Sequence, residues 1–166
     1  MNFDDAMVVA AGSNLAGDHA SPEALLEDAL ALFPLAGLPI ILRSAWWRSL
    51  AWPDPTDPEY RNGVLLVEAK LDPHQALSAL FSIERAFGRA RGSRNAPRTL
   101  DLDLIAHGRL VLEGPDLVLP HPRAHERRFV MGPLAQIAPA WRHPVLGRTA
   151  AELAQSATVG ADAAPA

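Results

Sequence analysis

Hydrophobic and polar positions along this chain fall into short apolar runs separated by two amphipathic stripes. Met7 to Ala11 is apolar and breaks into the turn signal Gly12-Ser13-Asn14, so it reads as a buried first strand. Ser21-Pro22 then supplies an N-cap and a first helical position, and Leu26, Ala29, Leu30 and Phe33 recur at helical spacing until Pro34. Ile40 to Arg48 reads as a second strand ending in Trp46-Trp47, and Gly63 to Lys70 as a third. Between them, 49–61 is a long connection rich in proline and aspartate, a length that compact domains keep for function or disorder. Asp72-Pro73-His74-Gln75 forms a capping box, and Ala76, Leu80, Ile83 and Phe87 give the second helix its apolar face before Gly88.

Leucines and aspartates alternate from Leu100 to Leu104, the period of a strand with unlike faces. Leu110–Leu112 and Leu117–Leu119 can pair as a hairpin around Glu113-Gly114-Pro115-Asp116. Short helices are expected around Leu134–Ile137 and after the Thr149-x-x-Glu152 box. The order strand, helix, strand, strand, helix, strand is a split βαβ unit, which predicts an α+β sandwich of ferredoxin-like type. Its antiparallel sheet would carry both main helices on one face, leaving the other face and the long loops free for a site. The pattern predicts a single domain over 1–156 and a disordered small-residue tail over 157–166.

Aspartate is a poor strand former, so Asp101 and Asp103 stand out inside an apolar run. They point to one side of the strand, roughly 6–7 Å apart. The segment before them carries Arg85, Arg89, Arg91, Arg94 and Arg98, no acidic residue, and the loop formers Gly88, Gly92, Ser93 and Asn95. A basic flexible loop feeding a pair of carboxylates suits an anion that arrives with a metal ion. Two carboxylates plus phosphate oxygens are the usual shell of magnesium, and arginine forks neutralise the remaining phosphate charge.

Composition narrows the classes further. A chain of 166 residues that is 49% hydrophobic is long enough for one real core, and no apolar run approaches the ~18 residues of a membrane span. The first residues lack a basic segment followed by a long apolar one, so no secretory signal is expected. The absence of cysteine excludes disulfides and thiolate metal sites, in keeping with a cytoplasmic protein. A net charge of −4 argues against a general nucleic-acid binder, although eight of the fifteen Lys and Arg residues cluster in 85–98 and 123–128.

Gly12-Ser13-Asn14-Leu15, Tyr60-Arg61-Asn62, Gly88-Arg89, Pro97-Arg98-Thr99-Leu100-Asp101-Leu102-Asp103, Pro120-His121-Pro122 and Arg127-Arg128-Phe129 occur in that order. Together they resemble the 6-hydroxymethyl-7,8-dihydropterin pyrophosphokinase family of folate biosynthesis, the central stretch being the most specific. The resemblance implies transfer of the β,γ-pyrophosphoryl group of ATP to the pterin hydroxymethyl group, with release of AMP. It implies two magnesium ions held by Asp101 and Asp103, and catalytic arginines at Arg89 and Arg98. On the same basis Glu84, Arg91, Leu104, His121 and Arg127 join Arg89 and Arg98 around ATP. Gly12, Ser49, Leu50, Tyr60, Asn62 and Phe129 would surround the pterin, with Tyr60 and Phe129 stacking on it and the Asn62 amide reading its donor and acceptor edge. The implied partners are two small substrates and neither nucleic acid nor membrane, and the implied state is a monomer.

Three departures from the family pattern bear on the loops. Arg94-Asn95-Ala96 stands where many members have Arg-Trp-Gly, and Gly92 where a lysine can occur in a loop one residue longer. Ser49-Leu50 stands where members often have Thr-Pro, which leaves Trp46, Trp47 or Trp52 to compensate beside the pterin. Loops 49–61 and 88–98 are expected to close over both substrates and exclude water. Two other readings stay open: a magnesium-dependent phosphohydrolase or nuclease built on Asp101 and Asp103, and a non-catalytic ferredoxin-like nucleotide- or RNA-binding module. Aliphatic strands and an acidic chain stand against RNA.

Overall fold

The computed structural model describes residues 3–14, 19–51, 54–87 and 100–166. At its centre lies β1 (Met7–Ser13), paired antiparallel with β4 (Tyr60–Val67) on one side and β5 (Asp101–His107) on the other. Being central, β1 is covered on both faces, which is why its sequence is apolar without alternation. Val8 belongs to one core and Met7, Val9 and Ala11 to the other. Beyond β4 the sheet continues into β2 (Ile40–Arg43) and β3 (Trp47–Ser49), so the order is the expected ferredoxin-like one, with β5 as an edge.

Helices α1 (Pro22–Ala31) and α2 (Pro73–Ala86) lie on the face of Val9, Leu65, Leu102 and Leu104, burying Leu26, Leu30, Leu80 and Ile83 against them. Both start where side chains take the first free N–H groups. The Ser21 hydroxyl accepts from Ala24 N at 3.1 Å, and Asp72 and Gln75 cap each other's backbone at 2.8 and 3.1 Å.

The opposite face is not open, contrary to the sequence expectation. Helix α3 (Arg128–Ile137) is more than twice the expected length and, with α4 (Ala150–Ser156), covers Val8, Val64, Leu66 and Ala106. Pro133 inside α3 signals a break, since it forfeits a backbone hydrogen bond. Burial of Val130, Met131 and Leu134 outweighs that loss. Covered on both faces, the sheet can offer a site only at an end.

The second strand also departs from expectation: Ile40–Arg48 breaks at 44–46 into β2 and β3. The Ser44 hydroxyl accepts from Val64 N at 2.9 Å, and the two tryptophans diverge. Trp46 lies over Gly63 on the α1 side, whereas Trp47 lies over Gly132 of α3. A Cβ on either glycine would meet indole carbon at 2.6 or 2.5 Å, so close packing requires glycine at both positions. The hairpin forms as β6 (Leu112–Glu113) and β7 (Val118–Leu119), shorter than expected.

The tail expected to be disordered is instead folded onto the sheet. Ala164–Pro165 forms β8, antiparallel to β3, and Ala163 is 2% exposed. Small residues carry no periodic signal, so composition could not announce this. Partners elsewhere hold the segment: Arg128 donates to Ala163 O at 3.0 Å, and its backbone N–H donates to Val159 O at 2.8 Å. No helix among the described residues is long and apolar enough to cross a membrane.

Candidate active site

Antiparallel pairing brings the end of β1, the start of β4, the start of β5 and the end of β3 to the same end of the sheet. There Gly12 is paired with Asp101 on one side and with Asn62 on the other, and Asn62 with Trp47. Asp101, Gly12 and Asn62 thus form a cross-strand row, with the carboxylate and the amide two strand spacings (roughly 10 Å) apart. The glycine between them leaves the floor low. A Cβ at Gly12 would stand 2.9 Å from Asn62 Oδ1. Asp103 follows one pleat on, opposite Ala10, and is exposed, whereas Leu102 and Leu104 turn down into the core. The alternation read from the sequence therefore places both aspartates on the site side.

As an edge strand, β5 presents unpaired backbone groups outward, and two of the expected nucleotide-side residues take them up. The Glu84 carboxylate accepts from Leu102 N at 2.8 Å, and His121 N donates to Ile105 O at 2.8 Å. Glu84 is 2% exposed, so it is a strut from α2 to the aspartate strand rather than a helix-surface charge. His121 Nδ1 accepts from Arg123 N at 3.1 Å, which leaves Nε2 to carry the ring proton and face a ligand. Burial lowers the His121 pKa, opposed by the charge of Asp103 and reinforced by Arg127 and Arg123. His121 is therefore a neutral donor close to the carboxylates.

These residues border a cleft of about 240 Å³ shared by Glu84, Asp101, Asp103 and His121. Leu104 borders it too, but its side chain is 4% exposed and belongs to the core. The cleft also includes Asp116, which the sequence reading placed only in a turn, and Phe81 from the exposed side of α2. Nothing in the local pattern marks Asp116, because the hairpin fold-back alone brings it there. For Glu84 a signal existed, since it falls four residues after Leu80 on the apolar stripe.

On the other side of Gly12, Asn62 Nδ2 donates to Ser49 Oγ at 3.0 Å, and both are buried. The hydroxyl fixes the amide plane and leaves Asn62 Oδ1 over Gly12. Tyr60 and Asn62 are two residues apart on β4 and so share the face covered by α3, while Arg61 turns the other way to Glu23 at 3.4 Å. Phe129 enters from the first turn of α3, with the Arg127 guanidinium 5.9 Å from its ring centroid. Leu50 is half exposed, and its N–H donates to an Asp162 carboxylate oxygen at 2.6 Å.

Trp46 and Trp47, two of the three tryptophans expected to compensate, are tied into the packing on either side of the sheet. Trp46 donates to Glu27 at 2.9 Å on the α1 side, and Trp47 is 7% exposed between Gly132 and Gln136. Arg89, Arg91 and Arg98, as well as Leu15, Gly88 and Trp52, lie outside the described residues.

For a metal ion the chain offers two hard carboxylate donors on one strand face. Among the described residues no group of three His, Asp or Glu side chains could hold one. Two carboxylates with the remaining shell taken from phosphate oxygens is the arrangement magnesium favours, so the donor set fits.

Comparison with known proteins identifies the family. Residues 8–139 match the family described as 7,8-dihydro-6-hydroxymethylpterin-pyrophosphokinase (HPPK). A Synechocystis protein named 2-amino-4-hydroxy-6-hydroxymethyldihydropteridine pyrophosphokinase is 43% identical over 129 residues, covering 77% of this chain and 66% of that one. A Pseudomonas aeruginosa protein of the same name is 39% identical over 136 residues, 82% of each chain. Among solved structures, the wild-type Plasmodium falciparum HPPK-DHPS superposes with a TM-score of 0.70 over 90% of this chain and 44% of its own, at 14% identity, a likeness of fold. With the family match spanning every strand from Val8 to Leu119, and relatives this similar, the chain belongs to the 7,8-dihydro-6-hydroxymethylpterin-pyrophosphokinase family.

Proposed function

We propose that the protein transfers the β,γ-pyrophosphoryl group of ATP to 6-hydroxymethyl-7,8-dihydropterin in folate biosynthesis, yielding the pterin pyrophosphate and AMP. The observation that carries this reading is the row Asp101, Gly12, Asn62. Its carboxylate suits a metal–polyphosphate and its amide suits a heterocycle edge, with only a glycine between them. In the reaction the hydroxymethyl oxygen bonds to the β-phosphorus. The bond from that phosphorus to the α,β-bridging oxygen breaks, AMP leaves with the electron pair, and the hydroxyl proton passes to solvent.

Asp101 and Asp103 are the residues that would hold magnesium, which when bound supplies charge neutralisation and alignment of the phosphate oxygens. The rest is positioning by the chain's own groups. His121 offers Nε2–H to the nucleotide, Asn62 pairs with the pterin edge, and Phe129 and Tyr60 supply aromatic faces for it. Arg89 and Arg98 take the role of gripping the phosphates as charge moves onto AMP. On this reading the protein works as a monomer in the cytoplasm.

The test is AMP release from ATP and magnesium, with and without the dihydropterin, for wild type and Asp103→Ala. Pterin-dependent AMP that disappears in the variant is the expected result. Phosphate or ADP released regardless of pterin would replace the reading with a phosphohydrolase.

A further inference from the structure

The family match ends at residue 139, yet contacts from 159–165 converge on the residues proposed above to hold the pterin. Asp162 accepts the Leu50 N–H at 2.6 Å. Gly160, in the left-handed region at φ 67°, lies under the Phe129 ring, and a Cβ there would be 2.6 Å from the ring's Cδ1. Ala164 pairs with Arg48, the neighbour of the Ser49 that orients Asn62. Val159 N donates to Glu126 O at 2.9 Å while its carbonyl accepts from Arg128, clasping the backbone on either side of Arg127.

We propose that the segment 159–165 is a strap for the pterin site, with Asp162 and Gly160 as positioning residues for Leu50 and Phe129. The inference rests on the pyrophosphokinase reading. Its physical basis is that the segment gives each target a contact from beyond the family match. Leu50 is 49% exposed at the mouth of the long connection, where a charge-assisted hydrogen bond from an otherwise unrelated segment fixes the backbone. Phe129 sits on the first turn of its helix, where its ring plane depends on what lies beneath it. Only a residue without Cβ both adopts the Gly160 backbone and leaves room for the ring. The strap also closes the β3 edge, which would otherwise expose unpaired backbone beside Ser49.

The test compares steady-state kinetics of wild type, Asp162→Ala, Asp162→Asn and Gly160→Ala, with melting temperatures recorded for each. Asp162→Ala and Gly160→Ala are expected to raise KM for the dihydropterin about tenfold while KM for ATP stays within about twofold, a misplacement effect. Asp162→Asn keeps an acceptor oxygen and is expected to stay within about threefold of wild type. Should Asp162→Ala not fold, Gly160→Ala carries the same test. Unchanged pterin KM in the folded variants, or equal losses toward both substrates that follow a lowered melting temperature, would overturn the strap. So would an Asn variant as impaired as the Ala one, because that would place the charge on the ligand instead. A wild type without pterin-dependent AMP removes the underlying reading, whereas an active wild type with indifferent variants removes only the strap.

Discussion

The two edges of this sheet solve the same problem differently. On β5 the outward backbone groups are taken by Glu84 and His121, which reach in from α2 and from the turn after β7. On β3 the edge is covered by another strand, β8, whose residues lie beyond the family match. The first edge carries charge, Asp101 and Asp103. The second carries Ser49, whose hydroxyl accepts from the Asn62 amide, and the half-exposed Leu50. On the proposed reading, carboxylates that hold a cation among phosphates need a rigid base, and the buried strut from Glu84 to the backbone of β5 provides it. On the same reading, a site for a flat heterocycle depends instead on where a loop and a ring settle, which the clasp from 159–165 sets through Asp162 and Gly160.

The comparison breaks most visibly at Asp103. Being exposed, it contributes nothing to the core, so Asp103→Ala should melt within ~1 °C of wild type. Its AMP-forming rate should nevertheless fall by about 10³-fold or more. A variant that keeps a tenth of the activity would mean that the charged edge is not the catalytic one.

Glu84 tests whether that edge is held rigid by its strut. Replacement by alanine leaves the Leu102 N–H buried without this acceptor, at an expected cost of about 2–3 kcal/mol read from chemical denaturation. Glu84→Gln retains an acceptor oxygen and should recover at least about half of that loss. If alanine and glutamine are equally stable, the strut does not hold β5.

Between the edges, Gly12→Ala would push on Asn62 Oδ1 at 2.9 Å and tilt the amide that Ser49 orients. A rise of about tenfold in pterin KM is expected, with ATP KM little changed. An equal rise in both would show that the floor of the row is shared rather than divided between the two substrates.

What the sequence revealed, and what it hid, follows the same division. The period-2 run at 100–104 and the capping residues Ser21, Asp72 and Thr149 state their structure locally, and the fold agrees with each. Asp101 and Asp103 were conspicuous because aspartate in a strand has no local reason to be there. Structure set by distant partners leaves no such local record. The helix expected around Leu134–Ile137 begins at Arg128 because burial outweighs the hydrogen bond that Pro133 forfeits, and the acceptor role of Glu84 toward Leu102 depends on a strand eighteen residues away. Residues 157–166 carry alanine and glycine with no face of their own, so nothing local records that Arg128 and the β3 edge await them.

The smallest effect concerns the layer that spans both edges. Behind the 3-10 turn Ala124–Glu126 that leads into Arg127, His143 is buried against the His125 ring at 5.6 Å. Its Nδ1 accepts from Val145 N and Leu146 N at 3.2 and 3.1 Å. Burial, with a smaller contribution from His125, lowers its pKa from 6.5 to about 4. The unfolded chain therefore binds a proton more readily than the folded one between those values. The stabilisation is complete above about 6.5 and is lost progressively as pH falls toward about 4. Between pH about 7 and about 5.5 the loss should be on the order of 1 kcal/mol, a fall of ~2–4 °C in melting temperature. An asparagine at this position can accept the same two N–H groups without titrating. His143→Asn should flatten that part of the pH profile, while pterin and ATP KM at pH about 8 remain those of wild type. If the variant keeps the full acid dependence, the titrating group lies elsewhere, and the layer behind α3 is not what acid loosens.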